Sequence, residues 1–297
     1  MKKIPLLRSV AIMMTAMALV SCNDDDNKNS IDGCDRQECD LLQQIGQSLV
    51  LDYEGNPTSW KGVSWTLPIP STGTRYVRGL TIDSKAMRPL PESIGELYFL
   101  KRLEVIGNVT GELPESMCKH GNVDTLIVSN TDMPGLGKDA FHSNMKYVSV
   151  RGNYKMGTLP ASVTTLKGIT EPASFNLSGN GFYGYIPAFE GVNIDLSNNQ
   201  FSMVDFANAF NATQSTKESG KKEVYGVHMA GNNFSHLVIP DNVLSDTLAL
   251  IHLAVLNQPI DYSKTFSNMP SQAKLKSLAE KYYRNHPDLA DLSSLFD

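Results

Sequence analysis

The sequence predicts an α/β fold that coils as a right-handed solenoid, with about eight strands in a parallel concave sheet and a cap at each end. A nine-residue pattern recurs six times between residues 100 and 232. From Leu100 to Met145 it returns every 22 or 23 residues, and a fixed period in this range is typical of solenoid proteins. The fourth and sixth places are apolar in all six strings, so both side chains would lie on one face of a strand. One turn cannot bury this face alone, and neighbouring turns are expected to stack.

The ninth place of the pattern is polar and predicts a second kind of contact between turns. It is Asn in five strings and Thr131 in the other. An Asn amide both donates and accepts hydrogen bonds, so a stack of them can satisfy buried backbone groups where each strand bends into its turn. We therefore expect an asparagine ladder, weaker at Thr131, made of Asn108, Asn153, Asn180, Asn199 and Asn232.

The N-terminus has the pattern of an export signal. Lys2, Lys3 and Arg8 precede an apolar run over residues 10–20 that is shorter than the roughly 20 residues needed to span a bilayer. The run ends Leu-Val-Ser-Cys22, which resembles the lipobox of bacterial lipoproteins, although an ordinary secretory signal is the alternative. The resemblance implies a signal peptide over residues 1–21 and a lipid anchor, such as palmitate, on Cys22.

An acidic run follows Cys22 and predicts a disordered tether over residues 22–33. The run also resembles the export tag of surface lipoproteins in some diderm bacteria. This implies an outer membrane lipoprotein exposed at the cell surface, with the periplasmic face as the alternative. The membrane would then be contacted only through the lipid anchor.

Charge and motif content exclude several classes of function. Cleavage after residue 21 removes three basic residues and leaves 23 basic against 31 acidic residues, a net charge of about −8. Such a chain is a poor partner for nucleic acid or for anionic phospholipid surfaces. The six His are scattered without a metal-ligand spacing, and no phosphate-binding loop is present, so no metal or cofactor is expected. Glu104 and Asp195 would lie four strand spacings apart, roughly 19 Å, which exceeds the roughly 5–10 Å of a glycosidase pair.

The predicted N-terminal cap covers residues 34–75. A helix is expected where Leu41, Leu42, Ile45 and Leu49 have helical spacing. Cys34 and Cys39 are close enough in sequence to form a small disulfide in an exported protein. The third cysteine of the mature domain, Cys118, is expected to be a buried, inert thiol.

Several segments resemble the plant-type subclass of leucine-rich repeat proteins. Asp40-Leu41-Leu42 and Trp60-Lys61-Gly62-Val63-Ser64 match the cap of that subclass, and Gly111-Glu-Leu-Pro114, Gly157-Thr-Leu-Pro160 and Gly184-Tyr-Ile-Pro187 match its Leu-x-Gly-x-Ile-Pro segment. The resemblance implies leucine-rich repeats over residues 76–257. Trp65 stands where the family has Cys, so the usual cap disulfide is expected to be missing and two indole rings to seal the first repeat.

The C-terminal part is expected to close the solenoid. The longer interval between Asn199 and Asn232 predicts an insertion. Leu248, Ile251, Leu253 and Leu256 predict a last strand that lacks the Asn. A helical cap over residues 258–297 should follow, with its helix starting after Ser271.

Places three, five and seven of each strand should face outward on the concave sheet and form the binding site. Two Arg and a Tyr, which interfaces favour, predict a protein partner, whereas the later Ser, Asn and Asp suit a glycan. We therefore expect a surface-anchored, non-catalytic binding module for a protein. A glycan-binding accessory lipoprotein of a nutrient uptake system is the runner-up, and an enzyme in the insertion or C-terminal cap is the third hypothesis. The candidate binding residues are Arg102, Glu104, Tyr147, Ser149, Arg151, Asn176, Asp195 and His228.

Overall fold

A computed structural model describes residues 29–168, 174–189, 191–206, 213–216, 222–258, 260 and 265–297. The predicted signal peptide, Cys22 and most of the predicted tether lie outside these residues. Among the described residues, no helix is both long enough and apolar enough to cross a membrane.

The N-terminal cap begins earlier than predicted. Strand β1 (Ser30–Ile31) pairs antiparallel with β2 (Cys34–Asp35), so the tether cannot extend to residue 33. Helix α1 (Arg36–Leu49) follows, and the Asp35 carboxylate caps it by accepting from the Glu38 N–H at 3.0 Å. The predicted apolar face of α1 is buried, as are Cys34 and Cys39.

The predicted Cys34–Cys39 disulfide is wrong for this structure, because both cysteines are free thiols. One lies on β2 and the other on α1, and each packs in the core as a small apolar side chain. Of the two tryptophans, Trp60 is buried as expected and Trp65 is half-buried against the core. Trp60 is buried and stacks on Tyr53 with ring centroids 5.4 Å apart, and the Trp65 indole N–H donates to the Pro57 carbonyl oxygen.

The main sheet has eight strands within the described part of the chain. Seven are parallel and follow one another in chain order, and β3 from the cap pairs antiparallel at one edge. The fold is therefore mixed α/β with a large parallel sheet. The strands are β3 (Val63–Trp65), β4 (Val77–Pro89), β5 (Arg102–Thr110), β6 (Thr125–Ser129), β7 (Tyr147–Arg151), β8 (Ser174–Asn176), β10 (Ile194–Asp195) and β14 (Val227–His228).

The core lies under one face of this sheet, in the predicted register. Fourth-place residues form one row of Cα partners across the seven parallel strands: Leu80, Leu103, Leu126, Val148, Phe175, Ile194 and Val227. All seven side chains are buried, and so are the sixth-place residues of the six strings. Period-two alternation in the sequence therefore predicted which face of the sheet is covered.

The asparagine ladder exists from Thr131 to Asn232. The Asn153 Oδ1 atom accepts from the Thr131 N–H at 2.9 Å, and the Asn180 Oδ1 atom accepts from the Asn153 N–H at 3.0 Å. Asn199 accepts in the same way from Asn180, and Asn232 accepts from the Phe201 N–H. Each Asn amide also donates to a carbonyl oxygen of the preceding strand.

Asn108 does not belong to the ladder, which corrects the prediction. Strand β5 has a register shift against β4 at this residue but continues past it and stays paired with β4 as far as Thr110. The Asn108 side chain is exposed, and it donates one hydrogen bond, to the Lys85 carbonyl oxygen at 3.3 Å.

The segments that return the chain between strands are short. They include 3₁₀ turns at Glu92–Glu96 and Ala161–Thr165 and helix α2 (Glu115–His120). On the same side, β9 (Tyr183–Ile186) pairs in parallel with β11 (Gln200–Val204). The predicted insertion contains an antiparallel hairpin of β12 (Thr213–Thr216) and β13 (Lys222–Tyr225).

The predicted last strand is a helix instead, so the strand repeats end at β14 rather than at residue 257. Helices α3 (Asp241–Ser245) and α4 (Thr247–Leu256) follow β14. The Asp246 carboxylate caps α4 by accepting from the Ala249 N–H at 3.0 Å, and α4 buries apolar side chains around most of its circumference. Helix α5 (Gln272–Asn285) then starts directly after Ser271, as predicted, and a 3₁₀ turn at Ser293–Phe296 ends the chain.

Candidate binding surface on the sheet

The fifth-place residues form one continuous row on the outward face of the sheet. Six consecutive pairings align them as Cα partners: Thr81, Glu104, Ile127, Ser149, Asn176, Asp195 and His228. The sequence placed all seven correctly because they alternate with the buried fourth- and sixth-place residues. Their role in binding stays a prediction. His252, which lies within the predicted last strand, is instead buried on α4.

Strands β5, β6 and β7 bring the predicted Arg and Tyr side chains together. Arg102 on β5 and Tyr147 on β7 both pair with Thr125 on β6. Ile106 on β5 and Arg151 on β7 both pair with Ser129 on β6. We call Arg102, Ile106, Ile127, Tyr147 and Arg151 the sheet patch. It extends over two strand spacings, roughly 10 Å, and over four residues along each strand, roughly 13 Å.

The sheet patch has an apolar centre and a polar periphery. Ile106 and Ile127 are half-buried side chains on the outward face, where the core cannot cover them. Arg102, Tyr147 and Arg151 are exposed and surround them. An apolar centre with aromatic and Arg side chains around it is typical of protein-binding surfaces.

The two arginines of the patch differ in their surroundings. Arg102 forms an ion pair with Glu104, with 2.9 Å between the Nη2 and Oε2 atoms, and the Thr81 hydroxyl donates to the same carboxylate oxygen at 3.2 Å. Glu104 therefore orients Arg102 and offsets its charge. Arg151 has no acidic partner among the described residues, so its guanidinium is available to a carboxylate of another molecule.

Ser149 is the one predicted binding residue of this region that is covered. It occupies the fifth place between Ile127 and Asn176, but only 7% of it is exposed. The longer side chains around this small one exclude it from the surface, so Ser149 is not a contact residue, which corrects the prediction.

The polar strip from β8 to β14 is already partly engaged in local hydrogen bonds. The Asn176 Oδ1 atom accepts from both the N–H and the hydroxyl of Ser178, at 3.0 and 2.8 Å. The Asp195 Oδ1 atom accepts from the Ser197 N–H at 2.9 Å. These bonds occupy acceptor positions that a ligand hydroxyl would otherwise use.

The described residues contain no cluster of three or more His, Cys, Asp or Glu side chains that could hold a metal ion. Cys118 is half-buried, and burial raises the pKa of its thiol to about 11, with nearby carboxylates acting in the same direction. The thiol is therefore protonated at neutral pH, which disfavours a nucleophilic role.

Sequence reasoning missed a groove on another side of the molecule, where the chain leaves the strands. Loops after β5, β6 and β7 enclose a volume of about 590 Å³ between them. We call it the loop groove and define it by Glu112, Cys118, Gly135, Gly137, Thr158 and Tyr183. The signal in the sequence was the pair Gly135 and Gly137, which leaves two positions of one lining loop without a side chain.

No family model matches the chain, and no curated protein matches its sequence. Solved structures that resemble it at low identity include the following two. A plant ice-binding protein is 18% identical with a TM-score of 0.47, and the similarity covers 69% of this chain and 74% of that one. The leucine-rich repeat ectodomain of the receptor kinase SOBIR1 from Arabidopsis thaliana is 19% identical with a TM-score of 0.43, covering 58% of this chain and 97% of that one. Both similarities are too distant to assign a function.

Proposed function

We propose that this protein is a leucine-rich repeat solenoid of right-handed coil that acts as a non-catalytic binding module for a protein partner. The partner contacts the sheet patch. The observation that supports this most directly is the pair Ile106 and Ile127 on the outward face, flanked by Tyr147 and Arg151. A solvated sheet face without a partner has no need of apolar residues at these places.

The proposal includes anchoring at a membrane surface through Cys22. The lipobox resemblance and the acidic run after it support this part of the proposal. Residues 23–28 then separate the anchor from the folded domain. A chain of six residues reaches at most about 20 Å, so the module stays close to the membrane that holds it.

A glycan is the second candidate ligand for the sheet face, through the polar strip that contains Asn176, Asp195 and His228. The row of Ser, Asn and Asp side chains favours it. The local hydrogen bonds of Asn176 and Asp195 count against it, since those acceptor atoms are occupied. We therefore rank the protein partner first.

Two substitutions in the sheet patch test this ranking. Tyr147→Ala and Arg151→Ala should each weaken partner binding by at least about 1 kcal/mol, roughly fivefold in Kd. Both side chains are exposed, so the melting temperature should hardly change. The measurement is capture of proteins from cell-surface extracts on the immobilised protein, followed by titration of the captured partner.

Ser197→Ala, on the polar strip, is the matched control and should leave partner capture unchanged. Capture that is insensitive to Tyr147→Ala and Arg151→Ala contradicts the proposal. Loss of binding on a glycan array in the Ser197→Ala variant, with Tyr147→Ala unaffected, would instead support the glycan alternative.

A further inference from the structure

In the loop groove, the Glu112 carboxylate lies against two glycines of the neighbouring loop. A Cβ atom added to Gly135 would lie 3.2 Å from the Glu112 Oε1 atom, and one added to Gly137 would lie 3.4 Å from its Oε2 atom. The Glu112 carboxylate therefore packs directly along this loop. It has no hydrogen-bond or ion-pair partner among the described residues, so both of its oxygens can accept from the hydroxyl groups of a ligand.

One exposed aromatic ring lines the groove, and a second follows it on strand β9. Tyr183 lines the groove and is 52% exposed, and Tyr185, two residues further along β9, is 45% exposed. Ile186 is buried, so both rings lie on the open side of β9. Two residues of strand place them roughly 7 Å apart.

The Tyr185 ring is held in position before any ligand arrives. Its hydroxyl donates to the Asp205 Oδ2 atom at 2.8 Å. Met203, the partner of Tyr185 on β11, is also exposed and extends the apolar surface beside the ring. An exposed ring fixed by a hydrogen bond loses little conformational freedom on binding, which favours affinity.

The charges around the groove select against acidic ligands. Glu115 is paired with Lys119 at 3.1 Å, and Lys138 lies 3.9 Å from Asp139. The unpaired Glu112 therefore gives the groove a net negative charge. A ligand for this site has apolar ring faces for the tyrosines, hydroxyl groups for the carboxylate, and no negative charge of its own.

We propose that the loop groove binds a neutral oligosaccharide, with sugar rings stacked on Tyr183 and Tyr185 and hydroxyl groups donating to Glu112. The site is formed by the loops and lies apart from the sheet patch. One molecule can therefore engage a protein and a glycan on different surfaces.

The test uses mature protein, residues 22–297, in a detergent without sugar groups. The probes are linear neutral hexasaccharides of glucose, mannose and xylose, and binding is measured by saturation-transfer NMR and by calorimetric titration. At least one hexasaccharide should bind, and Tyr183→Ala should weaken it at least about tenfold. Glu112→Gln keeps the size of the side chain but removes its charge, and it should weaken hexasaccharide binding severalfold.

Tyr154→Ala is the matched control, because Tyr154 is 81% exposed and does not line the groove. It should bind as the parent does, and so should Tyr147→Ala in the sheet patch. The absence of binding by all hexasaccharides, or binding that Tyr183→Ala leaves intact, would overturn the proposal. Loss of saccharide binding in the Tyr147→Ala variant, with binding by the Tyr183→Ala variant intact, would also overturn the proposal, because the ligand would then lie on the sheet.

Discussion

Asn180 and Asn108 occupy the same ninth place of their repeat strings but have different surroundings. Asn180 is buried, and its amide donates to the carbonyl oxygens of Val150, Leu177 and Ser178 while Oδ1 accepts from Asn153. Asn108 is exposed and makes a single bond of 3.3 Å. The residue type alone therefore does not decide the contribution to stability. Its position in the fold does, because strand β5 continues past Asn108 and leaves it exposed, whereas Asn180 is buried among backbone groups that need a partner.

Asn180→Ala should lower the free energy of unfolding by about 1–3 kcal/mol, because it leaves buried backbone groups of two turns without partners. Asn108→Ala should change it by no more than about 0.5 kcal/mol, since its one bond is solvent-exposed. Urea denaturation of both variants measures the difference. Equal losses in the two variants would contradict this assignment of the ladder.

Among the elements, α4 was the one whose type the sequence analysis misjudged. Leu, Ile and Val are abundant in both buried strands and buried helices, and a short apolar run does not distinguish them by periodicity. Two local signals favoured the helix. The run lacks the ninth-place Asn, and Asp246 stands three residues before Ala249, the spacing of a helix cap. Both signals lie in the chain around the run, outside its apolar residues.

Elements α1 and β4 are joined by a buried carboxylate. Glu38 on α1 accepts from the Val77 N–H at the start of β4. Burial raises the pKa of the Glu38 carboxyl to about 7, the Val77 hydrogen bond opposes this, and the Asp35 charge adds to it. Because this pKa exceeds the ordinary value of 4.5, the folded state holds the proton more tightly than the unfolded chain does.

The contribution of Glu38 to stability should be complete below about pH 4.5 and should be lost as the pH rises through about 7. The melting temperature should therefore fall between about pH 5 and about pH 8, and it should fall less in Glu38→Gln, which still accepts from Val77. Thermal unfolding of both proteins across this range tests the expectation. If the melting temperatures of parent and variant change with pH in parallel, Glu38 does not cause the pH dependence.

For the whole molecule, the sequence predicted the sheet and its outward rows but not the loop groove. Strand alternation and repeat spacing are local properties, so Glu104, Asn176 and Asp195 could be aligned without coordinates. The groove depends on loops more than 20 residues apart and on the absence of side chains at Gly135 and Gly137. Periodicity contains no such information. The burial of Ser149 was missed for a related reason, since it depends on the size of its neighbours.

The proposed attachment of the whole molecule to a membrane depends on Cys22, which lies outside the described part. Cys22→Ser should release the protein from the membrane fraction, because the lipid has no other attachment point in the lipobox. Cys118→Ser is the control and should stay with the membrane. Cell fractionation with detection of the protein measures both. Retention of the Cys22→Ser variant in the membrane fraction would exclude the anchor.

The asparagine ladder has a direction. Asn153, Asn180, Asn199 and Asn232 each accept from an N–H of the preceding turn and donate to a carbonyl oxygen of the preceding strand. A polypeptide is synthesised with its N-terminus first, so the N–H groups of Thr131, Asn153 and Asn180 gain their partners only when the asparagine of the next turn has been added. While this part of the chain is being synthesised, its most recent turn is therefore always the incomplete one.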